Sequence, residues 1–219
     1  MVLILYAIYL YYRSLSLRKA SSLLSQVIKR SHVSIWKWIQ RYRQLLGMAS
    51  RPARKDVKTF FVDETFVQLG SAKVAVWIAY DPSIKAVLGF HVSREPNSVD
   101  AYLFLLRLVI TYGKRPVYTD GAMWYNDACR WLGLYHVVYG FDSDKAIIER
   151  IMEHIKDRTE VFDGLFPLRS EFRNGLEHIK SWLGAFVFML NAFDLGGVYV
   201  EPTLAAYVME DALMEVSLS

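Results

Sequence analysis

Val57-Lys58-Thr59-Phe60-Phe61-Val62-Asp63 is where the hydrophobic period of this chain changes from helical to extended, and the run closes on a carboxylate. Its aromatic and β-branched residues predict a strand. Two more apolar runs follow at residues 72–80 and 85–92, joined through the turn Asp81-Pro82-Ser83. Next, Asn97 or Ser98 caps a predicted helix over residues 99–112. Residues 115–120 form a short strand that again ends in a carboxylate, Asp120, and Gly121 punctuates it. A helix at 122–132 and a brief strand at 135–139 come next. Ser143 or Asp144 then caps a helix running over 145–159. Three strands followed by alternating helix and strand predict a mixed five-stranded α/β sheet with flanking helices. Residues 167–191 read as helix with a break near Asn174-Gly175, and the rest as a short acidic helix or tail.

Upstream of the first strand the chain reads as all-α. Residues 3–12 are one apolar helix, and Ser16 caps a second that includes Leu17-Arg18-Lys19-Ala20. Ser31 caps a third, from His32 to about Leu46, in which Val33, Trp36, Ile39, Tyr42 or Arg43, and Leu46 recur at helical spacing as the packing face. Gly47 is the expected C-cap. The expected organisation is therefore a helix-turn-helix domain over 1–47, a linker over 48–56, an α/β domain over 57–192 and a tail over 193–219.

Charge separates the same halves. Residues 1–58 carry twelve lysines and arginines against one acid, Asp56, a balance of +11; residues 59–219 carry fourteen against twenty-one, a balance of −7. A basic head on an acidic body implies an anionic polymer at one end and cations held at the other. A short helix, a turn and a longer helix with a basic face make a DNA reader, whose second helix enters the major groove. Ser31, His32, Ser34, Lys37 and Arg41 are the candidates for the groove face, while Trp36, Trp38 and Ile39 are expected to pack.

Composition narrows the remaining classes. With 53% hydrophobic residues in 219 the chain has material for a core and is no disordered segment. A single cysteine, Cys129, excludes a disulfide framework, and the five histidines include no pair three to five residues apart, which excludes a two-histidine zinc motif. Two uncharged stretches, 1–12 and 181–193, are shorter than the roughly 18–20 apolar residues that span a bilayer, so they read as buried helices. The first lacks the basic flank and small-residue cleavage site of a signal peptide. The expectation is a soluble, cytoplasmic protein with no membrane partner.

Asp63, Asp120 and Glu149 carry the chemistry. If the first and fourth strands are adjacent, Asp63 and Asp120 close two neighbouring strands at one edge, and Glu149, one turn into the following helix, lies over them. Three such carboxylates repel unless divalent cations share them, and hard oxygen ligands suit two Mg²⁺ or Mn²⁺ ions. A pair of such ions activates a water or a 3′-hydroxyl for in-line attack on a phosphodiester.

Phe61-Val62-Asp63-Glu64-Thr65, Tyr118-Thr119-Asp120-Gly121 and Ala146-Ile147-Ile148-Glu149-Arg150, followed by Lys156-Asp157-Arg158-Thr159, resemble the motifs of DDE transposases of prokaryotic insertion sequences, and among these the insertion-sequence-six group. The head resembles that group's helix-turn-helix in Leu15-Ser16-Leu17-Arg18-Lys19 and in the run from Trp36 to Tyr42. The resemblance covers roughly residues 10–190. It implies an RNase H-like, integrase-type catalytic core using two metal ions held by Asp63, Asp120 and Glu149. It also implies Lys156 on the DNA backbone and two protomers joining two transposon ends and target DNA near the nucleoid. Glu153, one turn beyond Glu149, is the alternative third ligand. Tyr125 is expected to pack. Two rival readings are a regulator that keeps the helix-turn-helix but has lost catalysis, and a structure-selective nuclease of the same fold.

Overall fold

The computed structural model describes residues 2–13, 15–48, 52, 54–139, 143–160, 165–166 and 172–195. Three helices come first: α1 (Val2–Tyr12), α2 (Leu17–Leu24) and α3 (His32–Met48). The body then runs β1 (Phe60–Leu69), β2 (Ala72–Asp81), β3 (Ala86–Ser93), α4 (Ser98–Tyr112), β4 (Val117–Thr119), α5 (Met123–Leu132), β5 (His136–Val138) and α6 (Ser143–Glu160). A two-residue strand β6 (Leu165–Phe166), helix α7 (Phe172–Met189) and a π-helical turn, Leu190–Asp194, complete it. The strand order is β3-β2-β1-β4-β5, antiparallel through β3, β2 and β1 and parallel through β1, β4 and β5. This is the mixed sheet with flanking helices that was expected, preceded by the helical head.

The sheet divides two apolar layers. Phe60, Val62, Trp77, Leu105, Tyr112, Tyr125 and Cys129 fill the side of α4 and α5. Phe61, Val67, Ile78, Ile148, Ile155 and Trp182 fill the side of α6 and α7. Strand β2 is covered on both faces, so every residue from Val74 to Asp81 is buried, and its run lacks the alternation of a half-exposed strand. The helical head joins the second layer: Ile8, Leu24, Ile35, Ile39 and Tyr42 belong to the same cluster as Phe61 and Phe186. The Tyr12 ring lies 5.5 Å from that of Trp182.

Several boundaries differ from the sequence reading. Strand β1 begins three residues later and runs to Leu69, because Gly70, at φ +58°, turns the chain into an antiparallel hairpin whose ladder pairs Leu69 with Ala72. Asp63 therefore sits within β1 rather than at its end. Helix α7 passes through Gly175 without a break; the roughly 1 kcal/mol that a helical glycine costs is outweighed by its buried face from Ile179 to Leu190. Met48 ends α3 inside the expected linker. The segments 167–171 and 196–219, where the sequence predicts the start of the last long helix and most of the tail, lie outside the described residues, as do 49–51 and 53 of the linker.

The packing face of α3 is also rephased. Ile35, Ile39, Tyr42 and Leu46 are buried, spaced at i, i+4, i+7 and i+11, whereas Val33 and Trp36 are 47% and 50% exposed. The expected serine caps hold, the Ser16 hydroxyl accepting from Lys19 N (3.2 Å) and the Ser31 hydroxyl from Ser34 N (3.2 Å), whereas Gly47, the expected C-cap, lies within α3.

Polar anchors fix the sheet's outer turn. The buried carboxylate of Asp81 accepts from the backbone N–H of Lys58 (2.6 Å), Thr59 (3.2 Å) and Ser83 (2.8 Å), and from the hydroxyls of Thr59 (3.2 Å) and Ser83 (2.7 Å). At edge strand β3, the Asn191 amide donates to Val87 O (2.9 Å) and accepts from Val87 N (2.8 Å), supplying bonds a missing strand would have made. Asp81→Ala leaves several part-buried donors without an acceptor and is expected to lower unfolding free energy by about 3 kcal/mol, read from urea unfolding at neutral pH. A loss of a few tenths of a kcal/mol would show that the anchor is unimportant.

Candidate active site

Parallel pairing of β1 with β4 puts Phe60 opposite Val117 and Phe61 opposite Tyr118. Carried two residues past the last pair, this register aligns Asp63 with Asp120, and the charge of Asp120 acts on the Asp63 carboxyl. The ladder stops here because β4 ends at Thr119 and the chain turns away. β6 takes up the same edge of β1 only at Gln68 and Leu69. Between these two pairings no described residue pairs with the edge of β1 around Asp63, at the carboxyl end of β4, where crevices of open α/β sheets bind ligands.

The turn that carries Asp120 is built by its neighbours. Thr119 is buried, and its hydroxyl accepts from Gly121 N (3.1 Å) and shares a hydrogen bond with His136 Nε2 of β5 (2.7 Å). Gly121 holds φ +88°, and a Cβ there would come within 2.9 Å of Val138 Cγ1, so the position excludes any side chain. The Asp120 carboxylate accepts from Ala122 N (3.1 Å) and is itself exposed.

Asp63 is more enclosed. Its Oδ1 accepts from Glu64 N (2.9 Å). Burial, then the charge of Glu64 and those of Asp120 and Glu149, pushes its carboxyl up from the ordinary 3.8 to about 7. Glu64 projects from the opposite face of β1, where the buried Tyr125 donates its hydroxyl to Glu64 Oε2. Burial raises the Glu64 carboxyl while that hydrogen bond opposes the rise. Tyr125 packs edge-on against Trp77 at 5.6 Å. It is a core residue, as expected, yet it also ties β1 to the helix that follows Asp120, a role no motif announced.

Glu149 is the seventh residue of α6, nearly two turns in, and lies exposed beside the buried Ile148, Ile151, Met152 and Ile155 that seat the helix. Its charge is felt at both Asp63 and Tyr139. Lys156 lies exposed two turns further along. Among the described residues no three carboxylate, histidine or cysteine side chains are already gathered as a metal-binding group. The donor set nevertheless fits a hard divalent cation: two level aspartates, one destabilised by neighbouring negative charge, and a third carboxylate within electrostatic range.

On the head, Ser31, His32, Lys37 and Arg41 are exposed and Ser34 is half-buried; the Arg41 guanidinium lies 5.7 Å from the Tyr42 ring centroid. Rephasing α3 adds Val33 and Trp36 to this face, two residues that the sequence reading had assigned to the core. The missed signal was Ile35, which keeps i+4 spacing to Ile39.

A family model described as a DDE domain, of the IS240 transposase type, matches residues 57–171. An uncharacterized protein of Methanocaldococcus jannaschii is 31% identical over 183 residues, 83% of this chain and 82% of that one. Among solved structures, the catalytic core domain of BIV integrase is similar at TM-score 0.41 and 16% identity, over 72% of this chain and 97% of that one. The HTLV-2 integrase catalytic core domain in complex with magnesium is similar at TM-score 0.44 and 15% identity, over 64% and 88%.

The raised Asp63 carboxyl predicts a pH signature. Between about 4 and about 7 the folded protein binds a proton that the unfolded chain has released, so stability falls as pH rises through that window and stays low above it. Asp63→Asn should remove that fall and melt higher than the parent at pH 8 without metal. Parallel melting profiles for both proteins from pH 4 to 8 would contradict the assignment.

Proposed function

Because the chain belongs to the IS240-type DDE transposase domain family, we propose that it is a DNA transposase that binds transposon ends through its helical head and cuts and joins DNA at the sheet edge. The observation that supports this reading is the parallel pairing of β1 with β4, which brings Asp120 close enough for its charge, with that of Glu149, to raise the Asp63 carboxyl.

In this reading Asp63, Asp120 and Glu149 hold two Mg²⁺ or Mn²⁺ ions. Such ions, when bound, activate the attacking water or 3′-hydroxyl and stabilise the leaving oxygen. The rest is the work of this chain's own residues. Thr119, Gly121 and His136 hold the Asp120 turn so that its carboxylate stays at the edge. Tyr125 and Glu64 join β1 to α5 beneath the two aspartates and limit their relative movement. Lys156 contacts the DNA backbone near the scissile phosphate. The exposed face of α3 enters the major groove, where Lys37 and Arg41 neutralise phosphates and Ser31, His32 and Ser34 approach base edges.

Val33 and Trp36 extend that face with apolar surface suited to thymine methyl groups. Transposition joins two ends, so the working unit is a homodimer holding both in a synaptic complex with target DNA. The setting is cytoplasmic, beside the nucleoid; among the described residues no helix is long and apolar enough to cross a membrane.

Two separable tests follow. Asp120→Asn should abolish Mg²⁺-dependent cleavage of a duplex carrying the element's terminal inverted repeat, identified in the DNA around the gene, with end binding nearly unchanged; surviving cleavage removes Asp120 from the site. Lys37→Ala and Arg41→Ala should each weaken end binding and reduce the salt dependence of affinity by about one unit of slope, with little effect on the chemical step. Unchanged affinity in both displaces α3 as the reading helix. Tight specific binding with no metal-dependent cleavage by the parent protein would favour a regulator instead.

A further inference from the structure

Tyr139 follows β5 directly, and its backbone N–H donates to Thr119 O (2.9 Å). With Thr119 opposite Val138, this sets Tyr139 level with Asp120, which is level with Asp63. Three neighbouring strands thus present Asp63, Asp120 and Tyr139 in one row. Strands β5 and β1 are separated by β4, about 9.6 Å of sheet. The Tyr139 ring nonetheless lies 6.1 Å from the Phe61 ring, at 13° between planes. Its side chain therefore leans across β4 toward the strand of Asp63. Phe61 is itself stacked on Tyr118 at 4.6 Å and 3°, so the three rings pack together on the sheet two residues before Asp63 and Asp120 along their strands.

The hydroxyl at the end of this ring is buried and has no hydrogen-bond partner among the described residues, although Asp63, Asp120, Glu64 and Glu149 all act on it electrostatically. A buried O–H without an acceptor is costly. It is a donor beside the aspartates that no described residue satisfies. Every acidic neighbour is an acceptor, yet none receives the proton, which fits a donor placed for an oxygen that sits between them.

We infer that Tyr139 is a further catalytic residue whose hydroxyl donates a hydrogen bond to a nonbridging oxygen of the DNA phosphate seated at Asp63 and Asp120. The inference rests on the transposase reading. No bond to Tyr139 is made or broken: a phenol keeps its proton at neutral pH, and the hydrogen bond strengthens as negative charge builds on the phosphoryl oxygens during in-line attack. Phe61 and Tyr118 fix the ring, so the donor needs little reorganisation.

Tyr139→Phe keeps the stacked ring and removes one oxygen. In single-turnover cleavage of the flanking inverted-repeat duplex with Mg²⁺, the rate should fall about 100-fold, in the range found for loss of one oxyanion donor. Metal-free end binding should stay as in the parent, and the melting temperature should not fall, because the change removes a buried hydroxyl that has no acceptor. A second readout needs no turnover: Ca²⁺ should raise the parent's affinity for the same duplex, and Tyr139→Phe should lose several-fold of that gain. Cleavage within twofold of the parent, with the Ca²⁺-dependent gain intact, would overturn the role. Asp120→Asn serves as the separate control. If the parent cleaves nothing and Asp120→Asn also leaves the Ca²⁺-dependent gain unchanged, the transposase reading fails, whereas a loss confined to Tyr139→Phe upholds the contact.

Discussion

The parallel ladder between β1 and β4 is formally two residue pairs long, yet the candidate site depends on it. It brings two carboxylates separated by more than fifty residues of chain close enough for the charge of Asp120 to act on Asp63. Parallel strands cannot be joined by a tight turn, so the chain must cross over, here through β2, β3 and α4. The three-residue β4 is too short to hold its place by backbone bonds alone. Val117 is buried against the α4 and α5 layer, Tyr118 is stacked on Phe61, and the Thr119 hydroxyl is shared between Gly121 and His136. Each residue of this strand therefore has its own tether, and Asp120 comes next.

The enclosed aspartate, Asp63, is held in a state that folding alone does not favour. Burial and like charges oppose its ionisation, while the Glu64 N–H is the local contact that favours it. Clustered, partly desolvated carboxylates of this kind trade stability of the isolated fold for a site that a cation completes. The buttress on the other face of the sheet has the same logic. Tyr125 reaches from the helix after Asp120 to the residue after Asp63, so the two halves of the site share a strut inside the core.

The helical head is more integrated than its charge suggests. Its +11 balance sets it apart from the acidic body, but α1, α2 and α3 bury their apolar faces in the same cluster as α7 and one face of the sheet. The basic face of α3 is thereby presented by a seated helix. Burying Ile35 rather than Trp36 leaves the tryptophan beside Lys37, where an aromatic ring can contribute to a binding surface.

Much of this was legible in the amino-acid order. Switching from a helical to an extended period at Val57 marked the sheet, turn residues delimited its hairpins, and Asp63, Asp120 and Glu149 stood out because each follows or accompanies a short apolar run. Periodicity fixes which residues share a face of one element. It does not say which element that face meets, and this is why the phase of α3 was read from Trp36 rather than Ile35, and why Asp63 was placed at a strand end instead of within one. Tyr125, Thr119 and Tyr139 carried no signal for the same reason: their roles lie in hydrogen bonds, made or unmade, across strands far apart in the chain. Sequence by itself determined the kinds of element, their order and the acids available. Only the tertiary structure, through the register of β1 against β4 and β5, decided which of those acids stand together, because register is set by packing on both faces of the sheet at once and no local pattern contains it.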